Sequence, residues 1–259
     1  MRYRKGTIDV NSADEAILAW VMQCGFVSTE QLWRFLSSDG CRLPRRTFLW
    51  RLQRLSEHGL TRRCNMPTVA KESVYAIDAL GVAHMMSRGE FCAGASDHHE
   101  NGQDGTGILH ALDLNDIRWT LQESGVLRRW RSDTEIRTQN EFTTFGYAKD
   151  YDAVVTVRVE DHELEFALEY ERMPKAGKKY AEIRKAVEAE RRVNTFLYLT
   201  ANFHVLNFVA QFFARSRRRI YFGLLNEFRS EHLNMHVVDP TGVRDGKLGA
   251  VLLASEGEQ

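Results

Sequence analysis

Between residues 152 and 200 the hydrophobic pattern changes twice, and that change decides what the second half of the chain can be. Asp152-Ala-Val-Val-Thr-Val-Arg-Val159 is strongly β-branched, which suits a strand. Glu160-Asp161-His162 turns the chain. From His162 to Glu171 the residues alternate. Leu164, Phe166, Leu168 and Tyr170 share one face, while Glu163, Glu165, Ala167, Glu169 and Glu171 share the other. A period of two belongs to an extended strand with unlike faces. The spacing then predicts a helix from about Gly177 to Arg192. Thr195-Phe-Leu-Tyr-Leu-Thr200 follows as an unbroken apolar run, expected of an inner strand covered on both faces. Another helix (Val205 to Arg215) and strand (Arg219 to Leu225) continue the order. Upstream, His110 to Gln122 reads as a helix with Leu114, Ile117 and Leu121 on one face. Val126 to Trp130 and Thr134 to Arg137 read as short strand pieces, and Ala250 to Leu253 as a last one. Adjacent strands followed by strand-helix-strand alternation make this half α/β with a mixed sheet, assigned to residues 108–259.

The whole chain has 259 residues, 43% of them hydrophobic, enough for two modest domains with packed cores. No apolar run approaches the ~20 residues of a membrane-spanning helix. The N-terminus, MRYRKGTIDV, lacks the apolar stretch of a secretory signal. Cys24, Cys41, Cys64 and Cys92 form no CxxC or CxxH pair, which argues against a zinc ribbon or a disulfide framework. A cytoplasmic protein with no membrane partner is expected.

Zero net charge hides an asymmetry. Residues 1–90 carry 13 Lys and Arg against 9 Asp and Glu. Seven of those arginines (42, 45, 46, 51, 54, 62, 63) fall between Arg42 and Arg63, with Glu57 the one acid among them. Such a cluster is the footprint of a nucleic-acid reader when its architecture fits, and a solvated helix face when it does not. Ser12-Ala-Asp-Glu15 and Ser28-Thr-Glu-Gln31 have capping-box spacing and open two helices. The first buries Ile17, Val21 and Cys24, the second Leu32, Phe35 and Leu36. Pro44 and Gly59 bracket a third. At 100° per residue, Phe48, Leu49, Leu52 and Leu55 fall on its inner side, and Arg46, Thr47, Trp50, Gln53 and Arg54 on its outer side. Leu60 to Cys64 and Ser73 to Ile77 read as a hairpin around Asn65-Met-Pro67, and a closing helix starts at Asp78.

Three helices, a hairpin and a closing helix are the order of a winged helix-turn-helix, assigned to residues 1–90. The run Tyr75-Ala-Ile-Asp-Ala-Leu-Gly81 resembles the segment after the wing in bacterial winged-helix regulators. The resemblance implies that the third helix enters the major groove of double-stranded DNA and that the wing touches the backbone. The DNA-contacting set expected here is Arg45, Arg46, Thr47, Trp50, Arg51, Gln53 and Arg54, with Arg62 and Arg63 on phosphates. Residues 91–107 are polar and aperiodic and read as a flexible linker. Its His98-His99-Glu100 reads as linker rather than as a metal site.

Helix, hairpin with an Asp, strand with an acidic pair, helix and strand are the core order of the restriction-endonuclease-like fold. In those enzymes an Asp and a following acid hold Mg²⁺, and a nearby Lys assists the attacking water. Here Asp152 opens its strand and Glu169-Tyr-Glu171 closes the next. The usual E-x-K is E-x-E in this chain. If the site were active, Asp152, Glu169, Glu171 and a displaced Lys179 would be its catalytic set, and Asp152 and Glu169 its Mg²⁺ ligands. The alternatives are a degenerate nuclease site and a solvated, ion-paired strand face.

The motifs in order extend the resemblance. They are the winged helix, His110-Ala-Leu-Asp-Leu-Asn-Asp116, the Asp152-Ala153 strand, Leu168-Glu-Tyr-Glu-Arg172 and a Lys-rich helix. Together they resemble the replication-relaxation family of plasmids and integrative elements, over roughly residues 12–215. The resemblance implies an α+β or α/β chain with a winged helix followed by a domain like the PD-(D/E)xK nucleases. It implies a homodimeric, sequence-specific DNA-binding protein controlling transcription, replication or transfer, without a cofactor. The alternative is a metal-dependent endonuclease targeted by its own winged helix. A third reading, a protein-binding adaptor, fits Trp50 but not seven arginines. The chain holds no G-x-x-x-x-G-K-[ST], G-x-G-x-x-G, H-E-x-x-H or G-x-S-x-G motif.

Overall fold

Asn11, rather than Ser12, caps the first helix of the computed structural model, which describes residues 8–64, 72–90, 105–242 and 245–256. The Asn11 side chain accepts from the Ala13 and Asp14 amides, and the Asp14 carboxylate accepts from the Asn11 amide. The box therefore sits one residue earlier than the hydroxyl suggested, because an Asx carbonyl caps as well as a hydroxyl. The Asn65-Met66-Pro67 turn and His98, His99 and Glu100 of the expected linker lie outside the described residues.

The chain divides into two units, Met1–Asn115 and Asp116–Gln259. In the first, α1 (Ser12–Cys24), β1 (Val27–Ser28), α2 (Thr29–Ser38), α3 (Arg45–Glu57), β2 (Thr61–Cys64), β3 (Val74–Ile77) and α4 (Ala79–Ser87) follow in order. Ser28 and Gln31 form the second capping box where the spacing placed it. The strands make an antiparallel sheet ordered β1-β3-β2. Ile17, Leu18, Val21, Leu32, Phe35, Phe48, Leu52 and Leu55 are buried between the helices. Each contributes about 1.5–3 kcal/mol by leaving water. Leu49, expected in this core, is 43% exposed. At Gly81 α4 approaches so closely that an added Cβ would lie 2.1 Å from the Leu60 carbonyl oxygen.

The expected boundary at residues 107 and 108 is displaced. Helix α5 (Thr106–Glu123) starts inside the presumed linker, and its residues up to Asn115 belong to the first unit. Ile108 is buried with Phe26, Cys64, Val74 and Ala76. Asn115 donates to the Phe26 carbonyl at 2.8 Å, and Gln31 donates to the Leu112 carbonyl at 2.8 Å. Buried contacts of this kind place the segment with the first core, whatever its sequence neighbours.

The second unit contains β4 (Leu127–Ser132), α6 (Asp133–Phe142), β5 (Ala153–Val159), β6 (His162–Glu171), α7 (Gly177–Ala189), β7 (Thr195–Thr200), α8 (Phe203–Phe213), β8 (Arg219–Leu224), α9 (Leu225–Glu231), β9 (His236–Val238), β10 (Asp245–Lys247) and α10 (Leu248–Glu256). One mixed sheet runs β10-β9-β8-β7-β6-β5-β4. The pairs β6-β7 and β7-β8 are parallel and the other neighbours antiparallel. The parallel pairs are those joined through α7 and α8, as crossover connections require. Val154, Ala167, Phe196, Tyr198, Ile220 and Phe222 form one core with Tyr180, Ile183, Val187, Val205, Val209 and Phe213 of those helices.

Two expected strands are helical. Thr134 to Arg137 lie in α6, whose N-cap Ser132 accepts from the Glu135 amide and whose first turn carries Asp133 and Glu135. Both features favour a helix start over strand propensity. Ala250 to Leu253 lie in α10. Among the described residues no helix is long and apolar enough to cross a membrane.

Candidate functional site

Helix α3 splits the arginine cluster into two groups. Arg42, Arg45, Arg46, Trp50 and Gln53 are exposed, with Trp50 at 46%, and Thr47 is half-buried. Arg45 pairs with Glu30 at 2.7 Å, and Gln53 donates to Glu57 at 2.8 Å. Arg51 and Arg54 turn the other way, onto Asp14 of α1, at 2.9 and 2.5 Å. Asp14 is 0% exposed. The expectation that Arg51 and Arg54 face DNA is therefore corrected. An acid buried under α3 draws both guanidinium groups inward, and water does not compete for it. Arg54 also lies over the Trp50 ring, 5.1 Å from its centroid. On β2, Arg63 is exposed, while Arg62 is half-buried over the Phe26 ring at 5.8 Å. Of the expected set, Arg45, Arg46, Trp50 and Gln53 thus share one exposed helix face, with Thr47 at its margin. The helix starts behind Pro44 with no side-chain cap.

The second cluster lies at the end of the large sheet where β5 begins and β6 and β7 finish. The register that pairs Ala153 with Leu168 sets Asp152 opposite Glu169. Asp152 Oδ2 accepts from the Tyr170 amide at 2.7 Å. Glu169 and Glu171 are 3% and 2% exposed, so the strand face expected to be solvated is open only at Glu163 and Glu165. The alternation identified the face correctly but not its cover, because the core of α7 and α8 lies over this end.

Two lysines reach these acids. Lys149, three residues before Asp152, is ion-paired to Glu169, with its ammonium 4.5 Å from the Tyr151 ring centroid. Lys175, four residues after Glu171, pairs with it at 2.7 Å. Burial pushes the Glu169 carboxyl up to about 7; Lys149 opposes the shift and Asp152 adds to it. Burial works against the charge on Lys175, but Glu171, Glu169 and Asp152 outweigh it and its pKa is raised. Lys179, expected to be the displaced lysine, points away and pairs with Glu182 at 3.2 Å on the exposed side of α7.

Two further groups complete the surroundings. Glu190 is buried at the end of α7. It accepts from the Ala148 amide at 2.8 Å, the Tyr151 hydroxyl at 3.1 Å and the Arg191 and Arg192 amides at 2.8 Å. It thereby ties down the segment carrying Lys149 and Asp152. Tyr198 pairs in register with Glu169, and its buried hydroxyl has no hydrogen-bond partner among the described residues. Burial, with Glu169, Tyr151, Glu171 and Asp152, raises its pKa well above the ordinary tyrosine value. Sequence reasoning missed Lys149, Lys175, Glu190 and Tyr198. The signal available for the lysines was proximity to Asp152 and Glu171 in the chain; Glu190 and Tyr198 had none.

The carboxylates are chemically suited to Mg²⁺, yet their arrangement does not fit one. Each is engaged by an ammonium or a backbone amide, and no group of three or more His, Cys, Asp or Glu side chains among the described residues is arranged to hold an ion.

No family model and no curated protein matches the chain. Among solved structures it has a low similarity to restriction endonuclease FokI, with 10% identity over 85% of this chain and 42% of that one, at a TM-score of 0.31. The same enzyme bound to DNA matches at 10% identity over 85% and 44%, with a TM-score of 0.25. The chain therefore spans less than half the length of these neighbours.

Proposed function

We propose that this is a double-stranded-DNA-binding protein that reads its site through α3 of a winged helix. The observation that carries the reading is the exposed face bearing Arg45, Arg46, Trp50 and Gln53 on a helix whose other side is locked to the core, with Arg42 exposed just before it. Cationic side chains at the start of such a helix, Arg45 and Arg46, suit phosphates, and Gln53 suits base edges. The order α1, α2, α3, β2-β3 hairpin and closing α4 in the first unit supports the winged-helix reading, with the hairpin as wing and Arg63 exposed on it. The motif order resembling replication-relaxation proteins supports reading this activity as transcription, replication or transfer control on a mobile element, and we read a homodimer as the working form. The second unit, read as restriction-endonuclease-like and degenerate, serves binding rather than cleavage. The divalent-dependent endonuclease reading is less well supported, because the acids it would use are already engaged from within the chain, Glu169 and Glu171 by lysines and Asp152 by a backbone amide.

The test is a salt titration of duplex binding by fluorescence anisotropy, after selection of a binding site from random duplexes. Arg42→Ala with Arg46→Ala should weaken binding and reduce the log–log salt slope by about 2, the value for two lost phosphate contacts. An unchanged slope and affinity would remove α3 from the interface.

A further inference from the structure

The buried acids lie where β6 and β7 finish, at Glu171 and Thr200; the opposite end of the parallel strands, where β7 and β8 begin at Thr195 and Arg219, carries the contrary charge. Residues 184–192 and 215–219 hold eight Lys and Arg against two Glu. Both of those acids are taken up within the chain. Glu190 is buried among its donors, and Glu188 accepts from the Ser216 hydroxyl at 2.5 Å and the Arg217 amide at 3.2 Å. These bonds join the end of α7 to the end of α8, as do Arg184 on the Phe212 carbonyl at 3.5 Å and Arg218 on the Val193 carbonyl at 2.6 Å. One basic surface results. Arg191, Arg215 and Arg217 are exposed on it, and among the described residues their guanidinium groups have no hydrogen bond or ion pair. Two aromatic rings border it. Phe142 and Phe145 are 69% and 77% exposed. The Phe145 carbonyl accepts from Gln139 at 3.0 Å and from the Arg192 guanidinium, which also lies over the Tyr147 ring at 4.6 Å. The Phe145 backbone is thus fixed beside the arginines while its ring stays in water.

We propose that this surface binds single-stranded nucleic acid, with Arg191, Arg215 and Arg217 on phosphates and Phe142 and Phe145 stacked on unpaired bases. Guanidinium forks suit phosphodiester oxygens, and an exposed ring beside them offers a base a flat apolar face. A duplex would leave the rings idle, because its bases are already stacked on one another. A lipid surface would need a wider apolar face than two rings amid charged side chains. Glu163 and Glu165 line a cleft with Arg192 next to this surface, and their charge sets its limit on that side. The activity is separate from duplex reading by α3 and makes no use of the acids at the far end of the sheet, so each can fail without the other.

The experiment follows the anisotropy of a fluorescein-labelled oligothymidylate, about twenty nucleotides long, as full-length protein is added at several salt concentrations. An abasic strand of the same length keeps the phosphates and lacks the bases. Wild type should bind oligothymidylate at least about tenfold more tightly than the abasic strand. Phe142→Ala/Phe145→Ala should remove that preference and leave the log–log salt slope in place. Arg191→Ala/Arg215→Ala/Arg217→Ala should lower the slope by about 2, the value for three single-strand phosphate contacts. All five side chains are exposed, so thermal melts of both variants should match wild type; the phenylalanine pair tests the proposal by itself if the arginine variant melts early. Duplex binding through α3 should be unchanged in the phenylalanine variant, so a failure here and a failure of the α3 reading appear on different probes. Wild type binding the abasic strand as tightly as oligothymidylate, or binding neither, would overturn the proposal. So would unaltered oligothymidylate affinity in both variants, or capture by phosphatidylserine vesicles with none by oligothymidylate.

Discussion

Arg54→Ala separates the two roles that an arginine on α3 can have. Its guanidinium lies 2.5 Å from Asp14 Oδ2 and 5.1 Å from the Trp50 ring centroid. Asp14 has no exposure, and its other partners are Arg51 at 2.9 Å and the Asn11 amide at 3.3 Å. Removing Arg54 takes one charged hydrogen bond from a buried acid that keeps a second guanidinium, so the expected loss is about 1.5–3 kcal/mol. Removing Arg51 as well leaves the carboxylate without a counter-charge, and the loss should rise to about 3–5 kcal/mol. The two changes should be non-additive, because they share Asp14. Urea unfolding followed by circular dichroism measures all three variants, with Asp14→Asn closing the cycle. In parallel, the salt slope of duplex binding should stay at the wild-type value in folded Arg54→Ala and fall in Arg46→Ala. If Arg54→Ala keeps full stability and loses DNA affinity instead, the inward placement of this arginine is wrong and the helix presents a different face.

Two other outcomes follow from buried groups. Glu169 holds its proton up to about pH 7 in the folded chain, against 4.5 for an ordinary glutamate. Its stabilising contribution is therefore complete below about pH 4.5 and lost as pH rises through 7, at up to about 1.4 kcal/mol per pH unit. Glu169→Gln should remove that slope from the pH dependence of unfolding, and matching profiles for the two proteins would contradict it. Gly81→Ala drives a methyl group to within 2.1 Å of the Leu60 carbonyl, where backbone must move. The urea midpoint should fall by an amount equivalent to about 3 kcal/mol, toward the upper end of overpacking costs.

Much of the element order was legible because its signals are local. The alternation of His162 to Glu171, the unbroken run of Thr195 to Thr200 and the Ser28–Gln31 box all describe one element at a time, and all three elements form where their patterns placed them. Failures came where two local signals competed. Thr134 to Arg137 has strand-like residues but a helix cap before it, and Ala250 to Leu253 is apolar enough for either state. The candidate acids Asp152, Glu169 and Glu171 were visible from their position at strand ends. Their lysine partners were not, since closeness to Asp152 and Glu171 in the chain does not by itself tell which lysine turns inward, as Lys175 does, and which pairs on the exposed helix side, as Lys179 does.

The sequence by itself determined the periods, the caps, the charge asymmetry and which residues share a face of each element. These depend on neighbours within about one helical turn or one strand pair. Tertiary structure alone decided which faces are covered. Asp14 buried under α3 turned Arg51 and Arg54 inward, and the core of α7 and α8 closed over Glu169 and Glu171 while leaving Glu163 and Glu165 open. The physical reason is that burial and counter-charge are set by groups distant in the chain: Asp14 is 40 residues from Arg54, and Glu169 is 20 from Lys149. A charge pattern on one helix or strand records what a face carries, and only the packing of other elements against it decides whether water, an ion or another side chain answers it.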